Sequence, residues 1–287
     1  MATLHVEQGG TDRRTPDGTV SEPGAEIETF IRTAPNNAFL RTRLLSLGDP
    51  EQLLRFLHRF LIFNDALAAR VPYLAGLIHL TPDLFIDHTA PPGFLGQANA
   101  RIAAHVAAAA SDEYQMSPGR DMVHQRLSQV FFRGALAYYR PDGAWDFERR
   151  HPVPPAIAAL LREARGKFFT APDPADLFAA LGFHVGLEFF ANEEFNLVDR
   201  YLREAHPGLV TALLHSGDDV CDYTWLALHT EVEIGHYRAG LAAVREAVAA
   251  YRDRAGAARM AATILDGLRA FADLQRRFYQ AVFDEVT

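Results

Sequence analysis

The residues best suited to chemistry are His229, Glu233 and His236, which follow one another with three and then two residues between them. An α-helix turns by about 100° per residue, so positions four and seven apart return to nearly the same face. Large apolar side chains lie on or beside that face: Trp225, Leu226, Leu228 and Val232. An ionised carboxylate is costly to bury unless it is paired or bound to a metal. Two imidazoles and a carboxylate on a buried stripe suit a first-row transition metal, iron in particular. The alternative is a core helix whose His and Glu side chains are hydrogen-bonded.

Composition and charge exclude several other classes of protein. The 287 residues carry a formal net charge of −8, which argues against the basic face of a nucleic-acid-binding protein. Cys221 is the only cysteine, so an internal disulfide and a cysteine-based zinc or iron–sulfur site are excluded. The N-terminus lacks an apolar signal core, and no apolar run approaches the roughly 18 residues of a membrane span. We therefore expect a cytoplasmic protein that binds neither nucleic acid nor a membrane.

The elements that must position these residues are predicted to be helices throughout. Residues 1–25 are polar and rich in Gly and Pro, so we expect a mobile tail there. Residues 26–287 show helical spacing of apolar side chains, and sustained two-residue alternation is missing. We predict one all-α domain of eight to ten helices. The predicted helices that concern the site cover 94–113, 121–139, 174–204, about 218–252 and 256–285.

A metal site in a helix bundle usually draws its ligands from several facing helices. Glu113 ends the predicted helix 94–113, and His124 lies one turn into the next helix. Taken singly, either residue is more simply explained as a solvated or hydrogen-bonded side chain. They become candidates only in combination with His229, Glu233 and His236, which we call the late triplet.

The predicted helix 174–204 contributes a further carboxylate, Glu188, on one stripe with His184 among apolar residues. A Glu in that setting needs a partner. Glu193 and Glu194 are competing choices, but we expect both at the surface. Gly182 and Gly186 lower helix propensity, which is tolerable if another element packs closely there.

Taken together, these motifs resemble the heme-oxygenase-like diiron oxidase superfamily. The resemblance rests on Asp112-Glu113, His124, the Gly-x-x-x-Gly-Leu-Glu run that ends at Glu188, and the late His-x3-Glu-x2-His triplet, and it covers roughly residues 30–250. It implies an all-helical fold shared with heme oxygenase, TenA-type thiaminases and the PQQ-synthesis oxidase. Carried over by motif, it implies these metal ligands: Glu113, His124, Glu188, His229, Glu233 and His236.

The resemblance also implies chemistry. It implies two Fe(II) ions per chain, the second held loosely, with O2 as co-substrate and an electron donor as partner. Outcomes in the family include N-oxygenation of amines, oxidative C–C cleavage, and desaturation of acyl or amino-acid substrates. We expect N-oxygenation of a small amine first, with cleavage or desaturation as the alternative. His184 is expected to lie behind the ligands or to contact substrate, and the chain is compatible with a homodimer.

A further alternative is a metal-free or cofactor-binding member of the same fold, such as a TenA-like hydrolase or a partner-binding protein. A TenA-like hydrolase would need an active-site cysteine on an inner helix face, and Cys221 precedes the triplet helix, which fits poorly. A heme oxygenase would need a proximal His on its first helix. His58 is available for that role but leaves the late triplet unexplained.

Overall fold

A computed structural model describes residues 23–91, 97–114, 124–141, 146–168, 173–216 and 221–287, without the side chains of residues 23, 110, 112–114 and 124. Within these ranges the chain is all-α, as predicted, and an isolated bridge between Phe85 and Tyr251 is its only β-type pairing. The described part contains twelve α-helices, of which α7 is a single turn. In chain order they are α1 (Pro23–Thr33), α2 (Asn36–Leu44), α3 (Pro50–Ala68), α4 (Val71–His79), α5 (Ala98–Tyr114), α6 (His124–Tyr139), α7 (Phe147–Arg150), α8 (Pro155–Gly166), α9 (Pro174–Ala205), α10 (Pro207–Leu214), α11 (Thr224–Ala250) and α12 (Ala257–Val286).

The N-terminal boundary differs slightly from the sequence prediction. Helix α1 begins at Pro23, inside the segment 1–25 that we assigned to a tail. Residues 1–22 lie outside the described residues, so the tail stays a prediction.

Helix α9 is the central element of the fold. Asp173 caps its first turn by accepting a hydrogen bond from the Ala175 amide at 2.7 Å, and Pro174 occupies the first helical position. Helices α11 and α12 pack along it. A Cβ at Gly182 would collide with the Ile264 carbonyl of α12, and one at Gly186 would lie 2.9 Å from the Phe271 Cβ. The predicted close packing at both glycines is therefore confirmed.

Helix α11, which carries the late triplet, lies between α9 and α5. Its first described turn begins at Thr224, a few residues after the predicted start. Trp225 and Leu226 are fully buried, as expected, whereas Leu228 and Val232 are half-buried.

Helices α3 and α4 form the wall opposite the triplet. Asp49 caps α3 by accepting a hydrogen bond from the Gln52 amide at 2.9 Å.

The stretch Pro50–His79 is long and apolar enough to cross a membrane, contrary to our expectation from the sequence. Half of its most apolar window is buried inside the fold, and a turn at 69–70 divides it into two helices. Core helices of soluble proteins meet the same criterion, so this stretch is weak support for a membrane span.

Candidate metal centre

Two carboxylate side chains and one imidazole converge between α9 and α11. Glu188 comes from α9, and Glu233 and His236 come from α11. One ligand atom from each residue lies within 4.8 Å of the other two. His236 Nδ1 is 3.5 Å from Glu188 Oε2 and 3.4 Å from Glu233 Oε2. All three side chains are buried, so the cluster is screened from bulk water.

Protons and a cation are two ways of balancing the charge of this cluster. Burial alone would raise the pKa of Glu188, but His184 and His236 outweigh burial and hold that pKa well below its ordinary value. Burial, reinforced by the charge of Glu188, raises the pKa of Glu233 despite its contact with His236. Burial would lower the pKa of His236, yet its two carboxylate neighbours raise it. Protons therefore balance the negative charge of the cluster, and a divalent cation would do the same with better-matched ligands.

His229 lines the cavity at this cluster, although it is not one of the three residues whose ligand atoms converge. Its Nδ1 donates to the Trp225 carbonyl oxygen at 2.6 Å, because a carbonyl can only accept. That bond places the ring proton on Nδ1 and leaves the lone pair on Nε2, which lies 3.7 Å from Glu233 Oε1. The ring also stacks on Phe195 at a centroid distance of 3.9 Å. A hydrogen bond that fixes the tautomer of a ligating histidine is a common feature of protein metal sites.

The cavity at this cluster is small. It has a volume of about 30 Å³ and is lined by Glu188, His229, Glu233 and His236, with Asn64 of α3 and Ala109 of α5 among the other lining residues. A metal ion fits the space between these described side chains. The donor set of carboxylate oxygens and imidazole nitrogens fits ferrous iron.

His184 lies directly behind Glu188. It is fully buried, and its Nδ1 is 3.1 Å from Glu188 Oε1, although this contact lacks hydrogen-bond geometry. Neither ring nitrogen has a hydrogen-bond partner among the described residues. A Cβ at Gly240 of α11 would lie at an ordinary van der Waals distance of 3.9 Å from His184 Nε2, so the imidazole packs against α11 at this position. His184 is thus placed to orient Glu188.

The two remaining predicted ligands are only partly described. Glu113 lies in the last turn of α5 and His124 in the first turn of α6, but their side chains lie outside the described part of the structure. Ala109, one helical turn before Glu113, lines the metal cavity. Glu113 and His124 as ligands stay predictions.

Of two polar residues near the site, the sequence analysis missed one, Asn64, and misplaced the other, Glu194. Asn64 belongs to the apolar stripe of α3, and a lone amide on such a stripe is a signal that could have been used. Glu194 is only 1% exposed, so the expectation that it lies at the surface was wrong. The cause is that α9 is packed on several sides, so a position rotated away from Glu188 is also interior. Glu193 is partly exposed.

Comparisons with known proteins establish the fold. No family model matches the chain, and no curated protein matches it. Among solved structures, it is similar to a CADD-like protein of unknown function from Nostoc punctiforme PCC 73102, with a TM-score of 0.58 and 16% identity over 92% of this chain and 94% of the other. At that identity the likeness shows the fold alone, which is heme-oxygenase-like.

Proposed function

We propose that the protein is an O2-activating non-heme diiron oxygenase acting on a small metabolite. One observation carries the proposal, namely the convergence of buried Glu188, Glu233 and His236 inside a heme-oxygenase-like bundle. A structural role for this cluster would leave two buried carboxylates balanced only by protons. Bound iron would account for two carboxylates and an imidazole at one buried place.

In this proposal two ferrous ions are held by the three converging residues together with Glu113, His124 and His229. Bound ferrous iron supplies the electrons that O2 needs. Glu188 faces His236 across the helix interface, so the two side chains would hold the metal from opposite helices. The Trp225 carbonyl holds His229 with its Nε2 lone pair toward the cavity, and the buried walls keep bulk water out.

N-oxygenation of a small amine is the reaction we place first. Oxidative C–C cleavage or desaturation of a small amino-acid or fatty-acid substrate is the alternative with the same cofactor. The proposal includes an external electron donor and a cytoplasmic location.

Metal-free alternatives find less support. Cys221 is half-buried, its Sγ lies 3.4 Å from Thr224 Oγ1, and it is not among the described residues that line the metal cavity. His58 lies on α3 but faces a different cleft. Neither a TenA-like hydrolase nor a heme oxygenase would therefore explain the buried cluster of Glu188, Glu233 and His236.

Anaerobic titration with Fe(II), followed by metal analysis, tests the proposal. We expect the wild-type protein to take up to two ions per chain, the second more weakly, and His236→Ala to lose tight binding because a ligand is removed. His215→Ala, at an exposed position, is the matched control. Mixing the loaded protein with O2 should give a transient visible absorption band. Full iron content in His236→Ala would show that the cluster is structural.

A further inference from the structure

A larger cleft lies on the other side of α3 from the metal cavity. It has a volume of about 680 Å³ and is formed by α3, α6 and α7. We call it the α3 cleft. Asn64 of α3 faces the metal cavity, whereas the next residue, Asp65, lines the α3 cleft. Volumes of this size are typical of small-molecule sites.

The apolar wall of the cleft is aromatic, and a buried histidine is set into it. Phe132 and Phe147 pack edge to face at a centroid distance of 5.5 Å. The His58 ring lies 5.1 Å from Phe132 and 5.8 Å from Phe147. His58 is only 6% exposed, yet it lines the cleft.

The tautomer of His58 is fixed by its neighbour. Arg59 Nη1 lies 2.7 Å from His58 Nδ1, and a guanidinium can only donate, so Nδ1 accepts. Arg59 is itself fully buried and held by Glu285 of α12 at 2.7 Å. Burial, together with the charge of Arg59, lowers the pKa of His58 to about 4, so the ring is neutral at pH 7.

A neutral ring that accepts at Nδ1 must carry its proton on Nε2. Nε2 makes no hydrogen bond to another described residue, and the nearest carboxylate oxygen, Glu148 Oε1, is 3.7 Å away. The cleft therefore presents an N–H donor, next to the Glu148 carboxylate, to which an acceptor group of a ligand could bind. This tautomer is the opposite of that at His229, and it has no lone pair on Nε2 with which to ligate a metal or heme iron.

The charged groups that line the cleft have both signs. Asp65, which accepts a hydrogen bond from Ser128 Oγ at 3.2 Å, and Glu148 are acidic, while Arg133 is basic. A simple anion would meet two carboxylates, and a simple cation would leave the His58 donor unused. A molecule with both a carboxylate and an ammonium group satisfies both sets.

We propose that the α3 cleft binds a small zwitterion with an apolar body, that is, an apolar α-amino acid or a close analogue. Its carboxylate accepts from His58 Nε2–H and pairs with Arg133. Its ammonium group pairs with the acidic side of the cleft, and its side chain packs on Phe132 and Phe147. The inference does not depend on the metal centre, because α3 separates the two sites.

Calorimetric titration of the metal-free protein with L-phenylalanine tests the assignment. Two probes remove one charge each: phenethylamine lacks the carboxylate, and 3-phenylpropanoate lacks the ammonium group. We expect L-phenylalanine to bind at least about tenfold more tightly than either, because each charged contact adds about that factor. Equal affinity for the three probes, or no binding of L-phenylalanine up to millimolar concentration, would overturn the proposal.

Variants of residues in the cleft test whether L-phenylalanine binds there. His58→Phe keeps the aromatic packing but removes the donor, and should weaken L-phenylalanine about tenfold. That change also removes the acceptor of the Arg59 Nη1 hydrogen bond and could therefore affect folding. Arg133→Gln provides a second test, at an exposed position where a substitution has little effect on folding. Arg165→Gln, exposed on α8, is its matched control. His236→Ala should leave the affinity unchanged. If Arg133→Gln and Arg165→Gln bind alike, the cleft is not the site.

Discussion

Replacing Glu194 by Gln should change how the stability of the protein depends on pH. Glu194 is buried without a cation beside it among the described residues, and three neutral groups donate to its carboxylate. Asn64 Nδ2 donates at 3.1 Å, Gln275 Nε2 at 2.7 Å and the Tyr279 hydroxyl at 2.9 Å. Gln preserves the size of the side chain and mimics the neutral acid.

The expected magnitude follows from the pKa of this carboxyl. Burial raises the pKa of Glu194 from 4.5 to about 7, although its three donors act in the opposite direction. The folded protein therefore holds this proton more tightly than the unfolded chain. Stability that is present below pH 4.5 is lost as pH rises through about 7. At about 1.36 kcal/mol per pKa unit, the loss between pH 5 and 8 is roughly 2–3 kcal/mol.

Urea denaturation of the metal-free protein at pH 5 and at pH 8 measures the effect. Other groups titrate over this range, so the informative quantity is the difference in unfolding free energy between Glu194→Gln and wild type at each pH. We expect that difference to move by roughly 2–3 kcal/mol in favour of Gln at the higher pH. Glu193→Gln, one residue away and partly exposed, should show almost no shift. A difference for Glu194→Gln that is flat within about 0.5 kcal/mol would refute the reasoning.

Three further outcomes are expected. Gly182→Ala should destabilise the protein by about 2 kcal/mol or more in urea, because the new methyl group meets the backbone of α12, whereas Gly76→Ala, with open space around it, should be neutral or stabilising by up to about 1 kcal/mol; similar effects of the two changes would contradict the close helix contact. Glu188→Gln should lose the weaker iron and the O2-dependent absorption band while its circular dichroism stays helical, whereas Glu193→Gln should keep the iron and the band. The reverse pattern would show that we assigned the metal-binding carboxylate of α9 to the wrong residue. His229→Ala should lose tight iron binding by metal analysis, and unchanged iron content would assign that ring a packing role.

Local patterns were sufficient wherever one helix decides the outcome. The spacing of His229, Glu233 and His236 placed them on one face of α11, and the structure buries all three. The glycines of α9 indicated close packing before the partner helix was known. Helix-start signals such as Asp173-Pro174 were read correctly because capping is a short-range interaction.

Properties that depend on two or more helices needed the tertiary structure. Whether Glu194 is buried depends on how many neighbours surround α9, and a pattern read along one helix cannot count them. The tautomer of His58 depends on Arg59, whose orientation is set by Glu285 on α12. Chain spacing shows which residues share a helix face, because that geometry repeats every few residues. Only the folded chain decides which distant face lies opposite, and hence which buried groups find a partner.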